Sequence, residues 1–153
     1  MKILGIRTAP KQLRFALVEV SSNSITLLNN DSEHLIKVPA GITETEDIVH
    51  WQKSEVDRIL RQNLDIAFVA LKTSEYARSE TKAVRLATYL DAAVLLSAKD
   101  AHKPVYYKLY SQIGATRSTV KERAEDRVGR TSKYWNEQIA DAIMVAWALR
   151  RMS

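Results

Sequence analysis

Residues 1–20 read MKILGIRTAPKQLRFALVEV, and this stretch decides the fold. Lys2–Ile6 and Leu13–Val20 are rich in β-branched and apolar side chains, and the break between them falls at Thr8-Ala9-Pro10-Lys11. Such a composition predicts strand, turn, strand. Placed at the start of the chain, the hairpin is expected to hold the centre of a sheet. Gly5 lies inside the first predicted strand, where a missing Cβ permits close approach of another backbone or side chain.

Outward from the hairpin, the polar cluster Ser21-Ser22-Asn23-Ser24 predicts a turn into a third antiparallel strand at Ile25–Leu28. A short extended piece, Leu35–Val38, ends at Pro39-Ala40-Gly41. Helical spacing of Ile48, Trp51, Val56, Ile59 and Leu60 then predicts a helix from Glu44 to Gln62, with Thr43 and Glu46 at capping-box separation. Asp65–Leu71 is almost continuously apolar, as a strand covered on both faces should be. A parallel pairing with the first strand is the economical arrangement after a helix. Residues 79–98 predict a long helix, apolar nearly all round toward its end, and Val105–Tyr110 a fifth strand. Alternation along that strand sets Tyr106, Lys108 and Tyr110 on one face. A charged helix at Ser118–Val128 is stopped by Gly129. A last helix follows, with Trp135, Ile139, Ala142, Ile143, Ala146 and Trp147 on its apolar face.

A chain of 153 residues suits one domain with its own core. The absence of cysteine excludes disulfides, thiolate metal sites and cysteine nucleophiles. No apolar run is long enough to span a bilayer, and no signal-peptide pattern opens the chain, so the default compartment is cytoplasmic. Residues 1–98 carry 12 Lys+Arg against 12 Asp+Glu, whereas residues 99–153 carry 11 against 6, so the net charge of +5 lies in the C-terminal third. This asymmetry fits a polyanion-binding face and equally a solvated basic surface.

Three antiparallel strands, then alternating helices and strands, then a C-terminal helix: the order resembles the ribonuclease H-like superfamily, and within it the RuvC-type Holliday junction resolvases. Ile3-Leu4-Gly5-Ile6-Arg7 is similar to their opening strand, which ends in aspartate. The strand at Asp65–Leu71 is similar to the one that ends in their catalytic glutamate. Asn136–Ala146 is similar to their final helix, patterned D-x-A-D-A. The resemblance implies residues 1–153 as one α/β domain, with a mixed five-stranded sheet and helices on both faces. It also implies an active site in which four carboxylates hold two magnesium ions for phosphodiester hydrolysis. Carried over residue by residue, Arg7 stands at the first aspartate. Ala70 stands at the glutamate, or Lys72 if the register shifts by two. Gln138 stands at the third position, and only Asp141 matches. Arg7 and Asp141, of opposite sign, are expected to pair.

Glu75, Glu80, Glu19 and Glu137 are the other acids weighed for a rearranged metal site, with Glu137 expected to face elsewhere. His34, His50 and His102 have no ligand spacing and read as surface residues. Thr8–Lys11 is too poor in glycine for a phosphate loop. The expected function is a non-catalytic RuvC-like domain that binds structured nucleic acid, a DNA junction or duplex, without metal or cofactor. Arg7, Lys72, Lys108, Arg117, Lys121, Arg130 and Lys133 are its candidate contacts. The alternatives are a magnesium-dependent endonuclease with a rearranged carboxylate set, and an interaction module that forms a homodimer through the 79–98 helix.

Overall fold

The computed structural model describes residues 1–152. Strands β1 (Lys2–Arg7) and β2 (Gln12–Val20) form the expected hairpin, antiparallel, with Gly5 opposite Ala16 and Arg7 opposite Arg14. β3 (Ile25–Leu27) and β4 (Leu35–Lys37) both pair antiparallel with β2, at its two ends. The piece Leu35–Val38 is thus a sixth short strand, beyond the five-strand path expected. Helix α1 (Thr45–Gln62) leads to β5 (Ile66–Lys72), which pairs parallel to β1. Helix α2 (Lys82–Asp100) leads to β6 (Val105–Lys108), parallel to β5. The sheet order is β3-β2-β1-β5-β6, with β4 beside β2. Three helices close the chain: α3 (Tyr110–Ile113), α4 (Val120–Arg127) and α5 (Glu137–Ala148).

Strand periodicity explains the layers. Ile3, Ala16, Phe68 and Ala70 face α5 and join Ile139, Ala142 and Ile143 in one buried cluster. Leu4, Ile6, Val69 and Leu71 face the other way, onto Val56, Ile59, Val94 and Ala98 of α1 and α2. Side chains two apart on a strand share a face, so Arg7 continues the Ile3–Gly5 row toward α5. Gly5 is where α5 touches the sheet. A Cβ built there would lie 1.9 Å from the backbone oxygen of Ala142, so only glycine admits the helix at this depth.

Several boundaries differ from expectation, among them the last helix, which starts at Glu137 and leaves Trp135 in the segment before it. Thr43 caps nothing: Glu44 is the N-cap of α1 and makes no side-chain bond there. Residues 79–81 precede α2, which starts where Thr81 Oγ1 accepts from the Val84 amide at 3.2 Å. The fifth predicted strand stops at Lys108, because Gln112 Oε1 accepts from the Leu109 amide at 2.9 Å and turns the chain into α3. Tyr110 therefore leaves strand β6 for α3, yet stays on the α5 side of the sheet with Tyr106.

Candidate functional site

The hairpin register places Arg14 beside Arg7. The parallel pairing of Ile6 with Leu71 brings Lys72 next to Arg7, and Lys72 in turn pairs with Lys108. Four basic residues from four adjacent strands thus form one row across the end of the sheet. Neighbouring strands stand about 4.8 Å apart. Two like charges at that spacing repel by about 1 kcal/mol in water and by about 3 kcal/mol at an effective dielectric of about 20. Such a row requires anions nearby.

The first turns of α5 supply one. Arg7 Nε donates to Asp141 Oδ2 at 3.0 Å, and its Nη1 to the Thr8 carbonyl at 2.8 Å, so the expected ion pair is present. The Tyr110 hydroxyl donates to Asp141 Oδ1 at 2.8 Å. Asp141 is 1% exposed. Burial holds its carboxyl above the ordinary value, opposed by the Tyr110 hydrogen bond and by the charges of Arg7 and Lys72. Burial and the Asp141 charge raise the Tyr110 phenol, which stays protonated and acts as donor.

Lys72 is 1% exposed, among the largest fully buried side chains of the protein. Its Nζ lies 4.0 Å above the Tyr110 ring, and donates to the Thr73 carbonyl at 2.7 Å and Glu75 Oε2 at 3.2 Å. Burial lowers its pKa, and Glu75 partly restores it. Arg14 Nη1 donates to Gln138 Oε1.

No protein-family model and no curated protein matches the sequence. Solved structures do. The RuvC of Thermus thermophilus superposes with a TM-score of 0.77 at 19% identity, over 97% of this chain and 92% of that one. The same protein in complex with a Holliday junction substrate gives 0.76 at 20% identity, over 97% and 92%. Fowlpox virus resolvase, in a Holliday junction DNA complex, gives 0.52 at 13% identity, over 98% and 97%. The fold is that of RuvC.

On this RuvC-like frame, Lys72 rather than Ala70 comes to the site. Ala70 pairs with Gly5 one step back and is fully buried among apolar residues under α5. Magnesium, which the fold family implies, needs several hard oxygen ligands. The side chains around Asp141 are Arg7, Tyr110 and Lys72, and no group of three His, Cys, Asp or Glu that could hold a metal ion gathers among the described residues. A cation repels a second cation, so this donor set does not fit a divalent ion.

Of the other candidate acids, three are committed elsewhere. Glu75 does reach the site, as the partner of Lys72. Glu80 pairs with Arg85, Glu19 with the N-terminal amine, and Glu137, as expected, turns outward to Arg117. Lys121 lines an open groove of about 310 Å³ with Arg14 and Gln138. Arg130 pairs with Glu125 and lies 5.6 Å from the Trp135 ring; neither contact joins it to the row. Lys133 is exposed in the segment before α5.

Sequence reasoning missed Arg14 and Asp91, and placed Tyr110 on the strand rather than in α3 beside Asp141. Arg14 was legible from the hairpin, since a short turn sets it opposite Arg7. Tyr110 depended on where β6 ended. Asp91 is buried on α2 and accepts from Thr8 Oγ1 at 2.7 Å, Thr73 Oγ1 at 3.0 Å, and the Ser74 amide and hydroxyl at 2.9 Å each. It ties α2 to the ends of β1 and β5 beneath the basic row. His34 is a correction: it is 6% exposed, with ring nitrogens 2.8 and 3.0 Å from the carbonyls of Ser32 and Lys133, whereas His50 and His102 are exposed. The histidine joins the β3–β4 connection to the segment before α5, a contact with no local sequence signal.

Proposed function

We propose that this chain is a RuvC-like domain that binds structured nucleic acid, a DNA junction or duplex, without metal-dependent cleavage. The observation that carries the reading is the row Arg14, Arg7, Lys72 and Lys108 across the end of the sheet, in which Arg7 and Lys72 stand where the resemblance leads one to expect metal-binding carboxylates. A metal ion at such a site would serve as a positive counter-charge to phosphate. Fixed guanidinium and ammonium groups supply the same sign of charge without an ion. They do not supply an activated water, so they bind a phosphodiester and leave it intact. The excess of basic residues after residue 98 favours the same class of ligand.

Mobility shifts with junction, duplex and single strands, run in EDTA across a salt series, test the reading. Binding of the junction or duplex that weakens with salt, with no cleavage in magnesium or manganese, is the expected outcome. No shift with any nucleic acid overturns it. Cleavage that needs magnesium and disappears in Asp141→Asn would instead establish the endonuclease. A homodimer through α2 has its own support in Tyr89, Ala92 and Leu96, which form an exposed stripe at helical spacing. Light scattering at increasing concentration decides it.

A further inference from the structure

Among the described residues, Arg14 is the buried member of the row with no countercharge; Lys108 has none either but is only half-buried. Arg7 has Asp141, and Lys72 has Glu75. Arg14 is only 8% exposed, bonds the neutral amide of Gln138, and leaves its buried Nε without a hydrogen-bond partner. Its cross-strand neighbour is a second arginine. Burial first, and then the Arg7 charge, push its pKa below the ordinary value, and no carboxylate opposes them. A buried, unpaired cation is costly to fold around, and an anion that reaches it offsets that cost.

The surroundings admit one. Arg14 forms a wall of the open groove with Gln12, Lys121, Asn136, Glu137 and Gln138. Its volume of about 310 Å³ corresponds to roughly ten waters at about 30 Å³ each, room for a phosphate group with part of its sugar. The N-terminus of the twelve-residue helix α5 opens on the groove, with the Asn136 side chain accepting from the amides of Gln138 and Ile139. The positive end of a helix dipole favours an anion there. Lys121, exposed in the first turn of α4, adds a mobile charge on the rim. One carboxylate, Glu137, also lines the groove, and Arg117 holds it at 3.1 Å.

We infer that the groove between Arg14, Lys121 and the start of α5 is a metal-independent oxyanion site that seats a backbone phosphodiester of the bound nucleic acid. The choice of a backbone phosphate rests on the nucleic-acid reading above; the oxyanion chemistry does not. The strand neighbours of Arg14 continue as Arg7, Lys72 and Lys108, so the groove is one end of a basic track that suits an extended polyanion.

The test follows the Arg14 Nε–H resonance of the intact chain in EDTA. Inorganic phosphate should move it saturably, whereas sodium chloride at equal ionic strength should not. Junction DNA should move the same signal. Arg14→Gln should weaken junction binding by on the order of tenfold or more, the loss of a charge-assisted contact. Lys121→Met, a change at an exposed position, should weaken it in the same sense and carries the test if Arg14→Gln does not fold. Junction binding that leaves the Arg14 signal and both variants unaffected overturns the groove while the nucleic-acid reading stands. A response to phosphate without binding of any DNA overturns the backbone as the source and assigns the groove to a free phosphate ester. No response to either overturns both.

Discussion

Asp141 and Arg7 bond each other, but they do not share the cost of separation equally. Asp141 is buried and takes both Arg7 Nε and the Tyr110 hydroxyl, while the Arg7 side chain is 25% exposed. Arg7→Met leaves a buried carboxylate short of its guanidinium and should cost about 3 kcal/mol. Asp141→Asn keeps an oxygen for Tyr110, removes the buried charge, and should cost less than about 1 kcal/mol. Urea titrations at pH 7 compare them, and equal costs would refute this account. The pH dependence has a definite sign. Burial holds the Asp141 carboxyl above 3.8, so the native state binds that proton more tightly than the unfolded chain. The group's contribution is fully present below 3.8 and is lost as pH rises through the raised value. Asp141→Asn should therefore gain stability relative to wild type between about pH 4 and neutrality. Lys72 runs the other way: with its pKa lowered below 10.5 by burial, its contribution is lost as pH falls through the lowered value. Lys72→Met removes a buried ammonium and leaves Glu75 in solvent. Its stability at pH 7 should be unchanged or higher by up to about 1 kcal/mol. Urea titration at pH 7 reads this, and a large loss of stability would show that the Lys72 ammonium, through its bonds to Thr73 and Glu75, holds the strand ends together.

The seam between β1 and α5 is the element that sets all these distances. Gly5 lets the backbone of Ala142 sit against the strand, and small residues Ala16, Ala142 and Ala146 keep helix and sheet close. Asp141 and Gln138 ride on this helix, so the depth of α5 fixes both Arg7–Asp141 and Arg14–Gln138. Gly5→Ala would drive a methyl into the Ala142 carbonyl, a backbone atom that cannot turn aside. The expected cost is about 3 kcal/mol, or a fall in melting temperature of about 10 °C for a chain of this size. Differential scanning calorimetry measures it, and an unchanged transition would mean that α5 has room to lift. At the other side of the site, β6 ends early and α3 carries Tyr110 under α5, so that a helix rather than a strand holds it on the face that alternation gave it.

Across the whole molecule, the basic row gathers charges from residues 7, 14, 72 and 108, three of which lie in the first two thirds of the chain, whose formal charge cancels. Summing charge by segment therefore located the excess in the C-terminal third and overlooked the row. If Arg14, Arg7 and Lys108 each contact one phosphate, log K should fall against log salt with a slope of about −3, and Lys108→Met should reduce its magnitude by about 1. Fluorescence anisotropy with labelled junction DNA over a salt series reads both. A slope near zero would place the binding energy elsewhere than in phosphate contacts. Chelation should leave affinity unchanged, since the charges at this site are covalently part of the chain.

Local physics explains what the sequence by itself determined. The β-branched runs, the Pro10 break, the helical spacings and the position of Gly5 specified element order, the central hairpin and the close approach of α5, because strand and helix periods are written in neighbouring residues. The Arg7–Asp141 pair was also legible, since opposite charges stood at two positions that the resemblance brings together. Other features needed the tertiary structure. Register chose Lys72 over Ala70, because a shift of two keeps the face and changes only the place along it. The end of β6, set by one Gln112 bond, decided Tyr110. The burial of Arg14 without a countercharge arises only when the hairpin, α5 and the groove are assembled, for desolvation is a property of what surrounds a residue and not of the residue itself.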